Sequence, residues 1–227
     1  EIDGLSFVEN QSDLSDKFVV HEITLPRYLM LFFNLNSPVW ESKAIRQKLS
    51  KNESIGEEVT ATLATSTKKV NLDQAQKIKD DWKKLGVNIE IRSYDAGQLQ
   101  SEIIPKRQYD LLLYGLDYGY DPDLYPFWHS SQIKDGFNLS SYQKKEVDEL
   151  IEKARKEMNL EKRKEILSKI QKYINEDLPV IFICSPNYLY LLPSKIKGVN
   201  EKKFIFSPSQ RFSDIENWYL KEKRVKK

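Results

Sequence analysis

The fold of this chain is decided by the stretch Tyr109-Asp-Leu-Leu-Leu-Tyr-Gly-Leu-Asp-Tyr-Gly-Tyr-Asp-Pro-Asp-Leu-Tyr-Pro-Phe-Trp-His-Ser130. Its start predicts a buried strand, because the run Leu111 to Leu113 is continuously apolar, as in a sheet that is covered on both faces. The run is interrupted at Gly115 and Gly119, and Asp121-Pro122 then favours an extended or turn conformation. A strand is therefore expected to deliver an irregular loop to its C-terminal end.

The loop predicts a small-molecule site. In open α/β sheets ligands bind outside the carboxyl ends of strands, and aromatic walls with a few polar groups are typical of such sites. We expect Trp128 to wall the site rather than to lie in the deep core. The alternative is that the aromatic rings are core and the aspartates cap turns. The loop carries three aspartates (Asp117, Asp121, Asp123) and five aromatic residues (Tyr118, Tyr120, Tyr125, Phe127, Trp128).

The overall composition is typical of a folded, soluble protein, with 40% hydrophobic and 31% charged residues among 227. Thirty-six basic residues against 34 acidic ones leave a net charge of +2, which argues against nucleic acid as a partner. Cys184 is alone, so no disulfide framework is expected. The longest apolar runs are too short to span a bilayer. The first residues resemble the middle of a protein, so a fragment or processed product is expected.

The order of predicted elements is β-α-β-α-β, which favours a mainly parallel sheet flanked by helices. The capping-box pattern from Asn71 to Gln74 predicts a helix start, and Gly86 suits its C-terminus. In the second half, two amphipathic helices within 144–176 have charged outer faces, which predict solvated surface and a structural role without ligand contact. Asn159 is predicted to cap the second helix, and Met158 to lie on the apolar stripe of the first. Predicted strands cover residues 28–36, 59–64, 87–91, 111–113, 180–183 and 188–192, and shorter helices cover 42–49 and 98–104.

Several enzyme classes lack their motifs. The sequence has no glycine-rich phosphate loop, no HExxH motif and no Gly-x-Ser-x-Gly elbow, and its only histidines are His21 and His129. His129 is expected to be structural, and no cofactor is predicted. The loop aspartates leave three alternatives open, namely a calcium site, an aspartate-based hydrolase acting on glycosides, and an interaction domain without a small ligand.

A series of short motifs follows in order along the chain. The motifs are Phe33-Asn-Leu-Asn-Ser-Pro38, Ile45-Arg-Gln-Lys-Leu49, Leu63-Ala-Thr65, Tyr109-Asp110, Asp121-Pro122, Asn138 to Tyr142, Glu146-Val-Asp148 with Leu150 and Ala154, Glu161-Lys-Arg163, Pro179-Val180 and Lys197-Gly198. This ordered series resembles the extracellular solute-binding proteins of family 5, the oligopeptide and dipeptide receptors of ABC importers. The resemblance covers most of the chain, and the length of those proteins implies that this is their C-terminal half.

The resemblance implies a type II-like periplasmic-binding-protein lobe and a function without catalysis. Such receptors are two-lobed, close on a peptide or other small solute, and deliver it to ABC permease subunits in the membrane. It further implies an extracytoplasmic monomer that is anchored to the membrane as a lipoprotein through an N-terminus lying outside this chain. Three segments are expected: residues 1–58 as a hinge-crossing part of the first lobe, 59–178 as the ligand-binding lobe, and 179–227 as return strands and a docking segment.

The ligand-binding residues expected on this basis are Asn34, Asp117, Tyr118, Tyr120, Asp121, Trp128 and Asn138. Two departures from the family pattern stand out. Peptide receptors place an amine-binding aspartate four residues before the Asp-Pro proline, where this chain has Tyr118, with Asp117 one residue away. The segment between Leu49 and Val59 is also shorter than in the family by several dozen residues.

Overall fold

A computed structural model describes residues 17–117, 123–185 and 187–220 of the chain. The strands in these ranges are β1 (Phe18–Ile23), β2 (Arg27–Phe33), β3 (Val59–Ser66), β4 (Val87–Tyr94), β5 (Leu111–Asp117), β6 (Val180–Cys184) and β7 (Tyr188–Pro193). The helices are α1 (Pro38–Glu41), α2 (Lys43–Ser50), α3 (Lys69–Lys83), α4 (Ala96–Gln98), α5 (Ile104–Lys106), α6 (Tyr125–Trp128), α7 (Lys145–Lys156) and α8 (Leu160–Asp177). A π-helical turn, Leu99–Ile103, joins α4 to α5.

The described residues form two compact units. Unit 1 contains residues 17–28, 117 and the described part of 184–220, whereas unit 2 contains residues 29–116 and 123–183. A sheet of five strands in the order β4-β3-β5-β2-β6 builds unit 2. This division differs from the three segments expected from the sequence, because β2 and β6 complete the same sheet as β3, β4 and β5.

The sheet of unit 2 is mixed, with a parallel half around β3. Leu63 of β3 pairs in parallel register with Ile91 of β4 and with Leu111 of β5. β2 is antiparallel to its neighbour β5. The end of β2 lies beside the start of β5, where the Asn34 N–H donates to the Asp110 carbonyl at 2.9 Å. The prediction of an α/β sheet flanked by helices is confirmed, with a mainly parallel order in β3, β4 and β5.

The core of unit 2 is built from the leucine run and a group of aromatic rings. Leu111, Leu112 and Leu113 are fully buried, as the continuous apolar pattern predicts. Beside them the Phe33 ring stacks on Trp82 at a centroid distance of 6.0 Å and contacts Trp40 at 5.3 Å. These large rings make β5 and its neighbours a rigid support for the loop at its end.

The start of α3 differs from the capping-box prediction. The helix begins at Lys69, and the Asn71 side-chain amide donates to Ser66 Oγ at 2.8 Å instead of capping the helix. Asn71 thus ties the first turn of α3 to the end of β3. The expected role of Gly86 is confirmed: its φ is +100°, and a Cβ there would lie 2.3 Å from the Glu57 carbonyl oxygen.

α7 and α8 form a helical hairpin that packs through its apolar stripes. Asn159 caps α8 as predicted, since its Oδ1 accepts the N–H groups of Glu161 and Lys162, both at 3.1 Å. Met158 is a correction, because α7 ends at Lys156 and the methionine is 90% exposed in the turn. The buried residues of the two helices are Val147, Ile151, Ala154, Ile166 and Ile170.

Unit 1 has a small core of its own. β1 pairs antiparallel with β7, and Ile23, Leu25 and Ile205 form a buried cluster against Tyr188 and Tyr190. No helix within the described ranges has the length and apolar character needed to cross a membrane.

Candidate functional site

β5 ends at Asp117, the first predicted ligand residue. Its carboxylate pairs with Arg27, with 3.0 Å between Arg27 Nε and Asp117 Oδ2, and both side chains are nearly half exposed. The next three predicted ligand residues, Tyr118, Tyr120 and Asp121, lie outside the described residues. The structure therefore describes the residue that opens the solute loop, which we define as residues 117–123, and the residue that closes it.

The loop closes at Asp123, which two contacts hold in place. Asp123 Oδ1 accepts the Tyr125 N–H at 3.1 Å, and Oδ2 lies 3.4 Å from Arg155 Nε. The guanidinium of Arg155 also lies 4.5 Å from the centroid of the Tyr125 ring, and the other partner of that ring is His129 at 4.2 Å. The first residues after the loop are thus held by α7.

The Trp128 ring lies in the core of unit 2, which is the alternative to the ligand wall expected from the sequence. It is 4% exposed, and it packs on Phe32 at 6.5 Å and edge-on against Tyr142 at 6.3 Å. Four residues of α6 turn the chain so that Trp128 points inward, whereas Phe127 is half-buried and contacts Phe137 at 6.4 Å. A ring with so little accessible surface has almost none to offer a ligand.

Asn138 is fully buried, and its side chain hydrogen-bonds to backbone groups. Its amide nitrogen donates to the carbonyls of Tyr142 at 2.8 Å and His129 at 3.2 Å, and its Oδ1 accepts the Tyr142 N–H at 3.0 Å. The side chain therefore links two segments of an irregular loop, whose backbone groups have no regular hydrogen-bond partners. Its predicted contact with a ligand has no support from this arrangement, since the burial leaves no accessible polar atom.

Asn34 is likewise a structural amide in unit 2. It is 7% exposed, and it donates to the Tyr109 carbonyl at 2.9 Å and accepts the Asn36 N–H at 3.2 Å. These bonds fix the chain where it leaves β2 beside the start of β5. Of the predicted site residues that the structure describes, only Asp117 presents an exposed polar group.

The sequence analysis did not predict that three side chains in unit 2 hold distant segments together by hydrogen bonds. Asp110 accepts from Thr62 N–H and Ser37 Oγ at 2.8 and 2.9 Å and so ties three segments together. Arg107, at φ 52°, donates to the carbonyls of Ile133 and Gly136 at 2.8 and 2.9 Å. The sequence signal for Asp110 was the Tyr109-Asp110 motif, whereas Arg107 carried none.

The third is Asp148, on α7. Its Oδ1 accepts the Ser130 N–H at 2.9 Å and its Oδ2 accepts the Ser130 Oγ at 2.5 Å. The motif Glu146-Val-Asp148 signalled this residue, but only as part of a family pattern. The contact joins α7 to the turn that follows Trp128.

A partly buried ionic cluster lies at the end of α8. Asp177 accepts from Tyr142 Oη and Lys144 Nζ, both at 2.7 Å, and from Lys43 Nζ at 3.1 Å. Burial alone raises the pKa of Asp177, but the hydrogen bonds from Lys144, Tyr142 and Lys43 outweigh it and hold the pKa below its ordinary value. Burial raises the pKa of Tyr142, and its bond to Asp177 adds to that. These bonds join the end of α8 to α2 and to the segment before α7.

The described residues contain no group of three or more His, Cys, Asp or Glu side chains that could hold a metal ion. The loop carboxylates of Asp117 and Asp123 each face an arginine, at 3.0 and 3.4 Å. Such an arrangement suits exchange of one cation for another at an exposed carboxylate.

Comparisons with known proteins show what the chain is similar to. No family model matches the sequence. The chain is 28% identical over 167 residues to the oligopeptide-binding protein AppA of Bacillus subtilis (strain 168), covering 73% of this chain and 30% of the relative.

Solved structures show the same fold. AppA from Bacillus subtilis in complex with a nonapeptide matches with a TM-score of 0.73 and 20% identity, and a putative peptide-binding protein AppA from Clostridium difficile matches with 0.78 and 20%. Each comparison covers 90% of this chain and 53% of the solved one. The chain spans 30% of the curated relative and about half of the solved structures. Its resemblance to oligopeptide-type solute-binding proteins is thereby confirmed, and its fold is that of a C-terminal-like region of a periplasmic binding protein.

Proposed function

We propose that this chain is part of the solute-binding component of an ABC-type importer, and that its solute is a peptide or a related small molecule. The observation that carries the proposal is the 28% identity over 73% of the chain with an oligopeptide-binding protein. The match to the fold of a nonapeptide complex, at a TM-score of 0.73, supports it. The function is binding and delivery, without catalysis.

Asp117 is the residue through which we propose that a peptide is recognised. It stands at the end of a rigid, buried strand, and its carboxylate is exposed and already pairs with a cation, Arg27, at 3.0 Å. An ion pair between exposed groups contributes only about 0–1 kcal/mol. An incoming ammonium group of a peptide can therefore replace Arg27 at little cost, and Asp117 takes the part of the amine-binding aspartate whose position is occupied by Tyr118.

The rest of the proposal follows from the family's architecture. The solute is captured between two lobes, which removes water and strengthens each polar contact. The loaded receptor then presents the solute to permease subunits at the outer face of the membrane, to which it is anchored as a monomer. Tyr118, Tyr120 and Asp121 complete the proposed contact set on this side.

The hydrolase alternative has no observation in its favour. Both described loop carboxylates face arginines, and the printed names of the matched relatives are those of binding proteins. A chromogenic glycoside assay nevertheless gives a direct comparison, because turnover that is lost in Asp117→Asn would identify an enzyme.

The test is a titration of the isotopically labelled chain with di-, tri- and nonapeptides, followed by backbone amide shifts. The chain alone supplies part of the contact surface, so we expect affinities near millimolar, which this method detects. Losing a few hundred Å² of apolar burial at about 25 cal/mol per Å² weakens binding by several kcal/mol, or several powers of ten.

Asp117→Asn is expected to weaken binding at least tenfold, because the peptide ammonium loses its counter-charge. The matched control is Asp73→Asn on the exposed side of α3, which should leave the affinity unchanged. N-terminally acetylated peptides should bind the unmodified chain and Asp117→Asn equally. Shifts with glycosides and none with any peptide, or an Asp117→Asn effect that acetylation leaves in place, would contradict the proposal.

A further inference from the structure

We infer that one charged face of α7, formed by Asp148, Glu152 and Arg155, is a positioning device for the residues that close the solute loop. These side chains are spaced by four and three residues, which places them on one face of the helix. All three reach out of α7 to the segment 123–131. The effect on solute affinity rests on the proposed function, whereas the positioning of the segment does not. The contacts themselves belong to unit 2 alone.

Asp148 provides the firmest of the contacts. Its two carboxylate oxygens accept the N–H and the hydroxyl of Ser130, at 2.9 and 2.5 Å. Hydrogen bonds to an ionised acceptor are shorter and stronger than neutral ones. Ser130 starts a 3-10 turn of three residues, Ser130–Gln132, which is too short to hold itself in place. The carboxylate therefore fixes where the chain turns after α6.

Arg155 and Glu152 hold the other part of the segment by enclosing a pair of stacked rings. Tyr125 stacks on His129 at 4.2 Å and 24°. The Arg155 guanidinium lies over the Tyr125 ring at 4.5 Å, while Glu152 Oε1 lies 3.5 Å from His129 Nε2. Arg155 also reaches Asp123, at 3.4 Å, and so contacts the closing residue of the loop directly.

The hairpin itself provides the comparison that separates this face from an ordinary solvated one. Two ion pairs on the exposed faces of the hairpin stay within one helix, between Lys145 and Glu149 at 3.8 Å and between Lys172 and Glu176 at 3.9 Å. Pairs of that kind support only the helix that carries them. Asp177, at the end of α8, pairs with lysines outside its own helix.

Asp148 instead hydrogen-bonds to Ser130 of another segment. Glu152 and Arg155 also contact that segment, at His129 and Tyr125. Glu152 and Arg155 are exposed, as expected for the charged face of α7, and the contacts with the segment 123–131 are what the expectation did not include.

The consequence is that α7 helps to position Asp123. The exposed pair with Arg155 contributes only about 0–1 kcal/mol by itself, and the contact of Arg155 with the Tyr125 ring adds to it. α6 has four residues, and a helix of that length does not persist through its own hydrogen bonds. Releasing the three contacts frees the closing end of the solute loop, so more conformations must be given up when a solute binds. The unmodified contacts reduce that loss and so raise affinity without touching the solute.

The experiment compares Asp148→Asn and Arg155→Met with two controls on the same helix, Glu149→Gln and Lys153→Met. Amide hydrogen exchange is followed in the chain without solute. We expect protection of residues 123–131 to fall about tenfold or more in Asp148→Asn, with a smaller fall in Arg155→Met. In all four variants, protection of the amides of β3 and β5 should equal that in the unmodified chain. In the two controls, protection of 123–131 should be unchanged as well. Arg155→Lys, which keeps the charge but loses the planar contact with Tyr125, should recover part of the Arg155→Met loss.

Two results would overturn the inference: unchanged protection of 123–131, or a uniform loss that includes β3 and β5, which would mark the residues as general stabilisers. The nonapeptide titration forms the second arm. Affinity should fall about threefold to tenfold in the two variants that lose protection, and an unchanged affinity would refute the link to solute. Absence of nonapeptide binding to the unmodified chain would instead refute the proposed function, and the exchange result would still decide whether α7 positions the segment.

Discussion

Replacing Asn138 with alanine distinguishes a structural amide from a ligand contact at the residue where sequence and structure differ most. The side chain is fully buried and makes two well-formed bonds with Tyr142, at 2.8 and 3.0 Å, besides one to the His129 carbonyl at 3.2 Å. The substitution leaves the buried N–H and carbonyl of Tyr142 without these partners. At about 1–3 kcal/mol for each unsatisfied buried group, the two Tyr142 groups alone predict a loss of about 2–6 kcal/mol.

Water that enters the space of the lost amide would hydrogen-bond to some of these groups. We therefore expect the free energy of unfolding to fall by about 3–4 kcal/mol, within the range just given. The measurement is urea unfolding, in which the midpoint should fall at an unchanged slope. Asn88→Ala, at an exposed position of β4, is the matched control and should stay within about 0.5 kcal/mol of the unmodified chain. A loss below about 1 kcal/mol together with weaker nonapeptide binding would refute the structural account and restore Asn138 as a ligand residue.

Three further predictions concern stability. Arg46→Met should cost about 3–5 kcal/mol in urea unfolding, because the buried guanidinium donates to the Leu178 carbonyl at 2.9 Å and to other helix-end carbonyls; a loss near zero would show that water replaces it. Trp128→Ala should cost about 3–5 kcal/mol through the cavity it leaves, and a chain of unchanged stability that binds nonapeptide more weakly would instead place the ring in the site. The hydrogen bond from Lys202 holds the pKa of Asp214 to about 2. This lowered value gives stability that is complete above the unfolded pKa near 3.9 and is lost as the pH falls through about 2; Asp214→Asn should flatten that acid limb in thermal unfolding, and an unchanged limb would refute the assignment.

Elements whose cause lies in neighbouring residues were predictable from the sequence. The leucine run of β5 is buried on both faces because a continuous apolar pattern has no polar face to expose. Asn159 caps α8 because its side chain meets N–H groups two and three residues away. α3 shows the limit of this reasoning, since Asn71 matched a capping box locally but bonds to Ser66 at the end of β3.

The candidate site was less predictable, because its side chains find their partners far along the chain. Asn34 bonds to the carbonyl of Tyr109, and Arg107 to the carbonyls of Ile133 and Gly136. Hydrogen bonds between residues so far apart in the sequence cannot be predicted from periodicity or motif spacing. The family resemblance indicated a region for the site and could not say which polar residues there face solvent. Among the described candidates, Asp117 at the end of β5 is the one whose polar group is exposed.

The polar residues around the solute loop have a common physical origin. Between Asp123 and Lys144 the chain has one helix of four residues and a short 3-10 turn, so most of its backbone groups lack a regular ladder. Buried backbone of this kind needs side-chain partners, and Arg107, Asn138 and Asp148 each supply two or more bonds. Ser141, at φ 54°, shows that the segment accepts a costly conformation to stay in place. These bonds hold the segment 123–144 in place, so Asp123 at its start occupies a defined position, as the proposed solute contact requires.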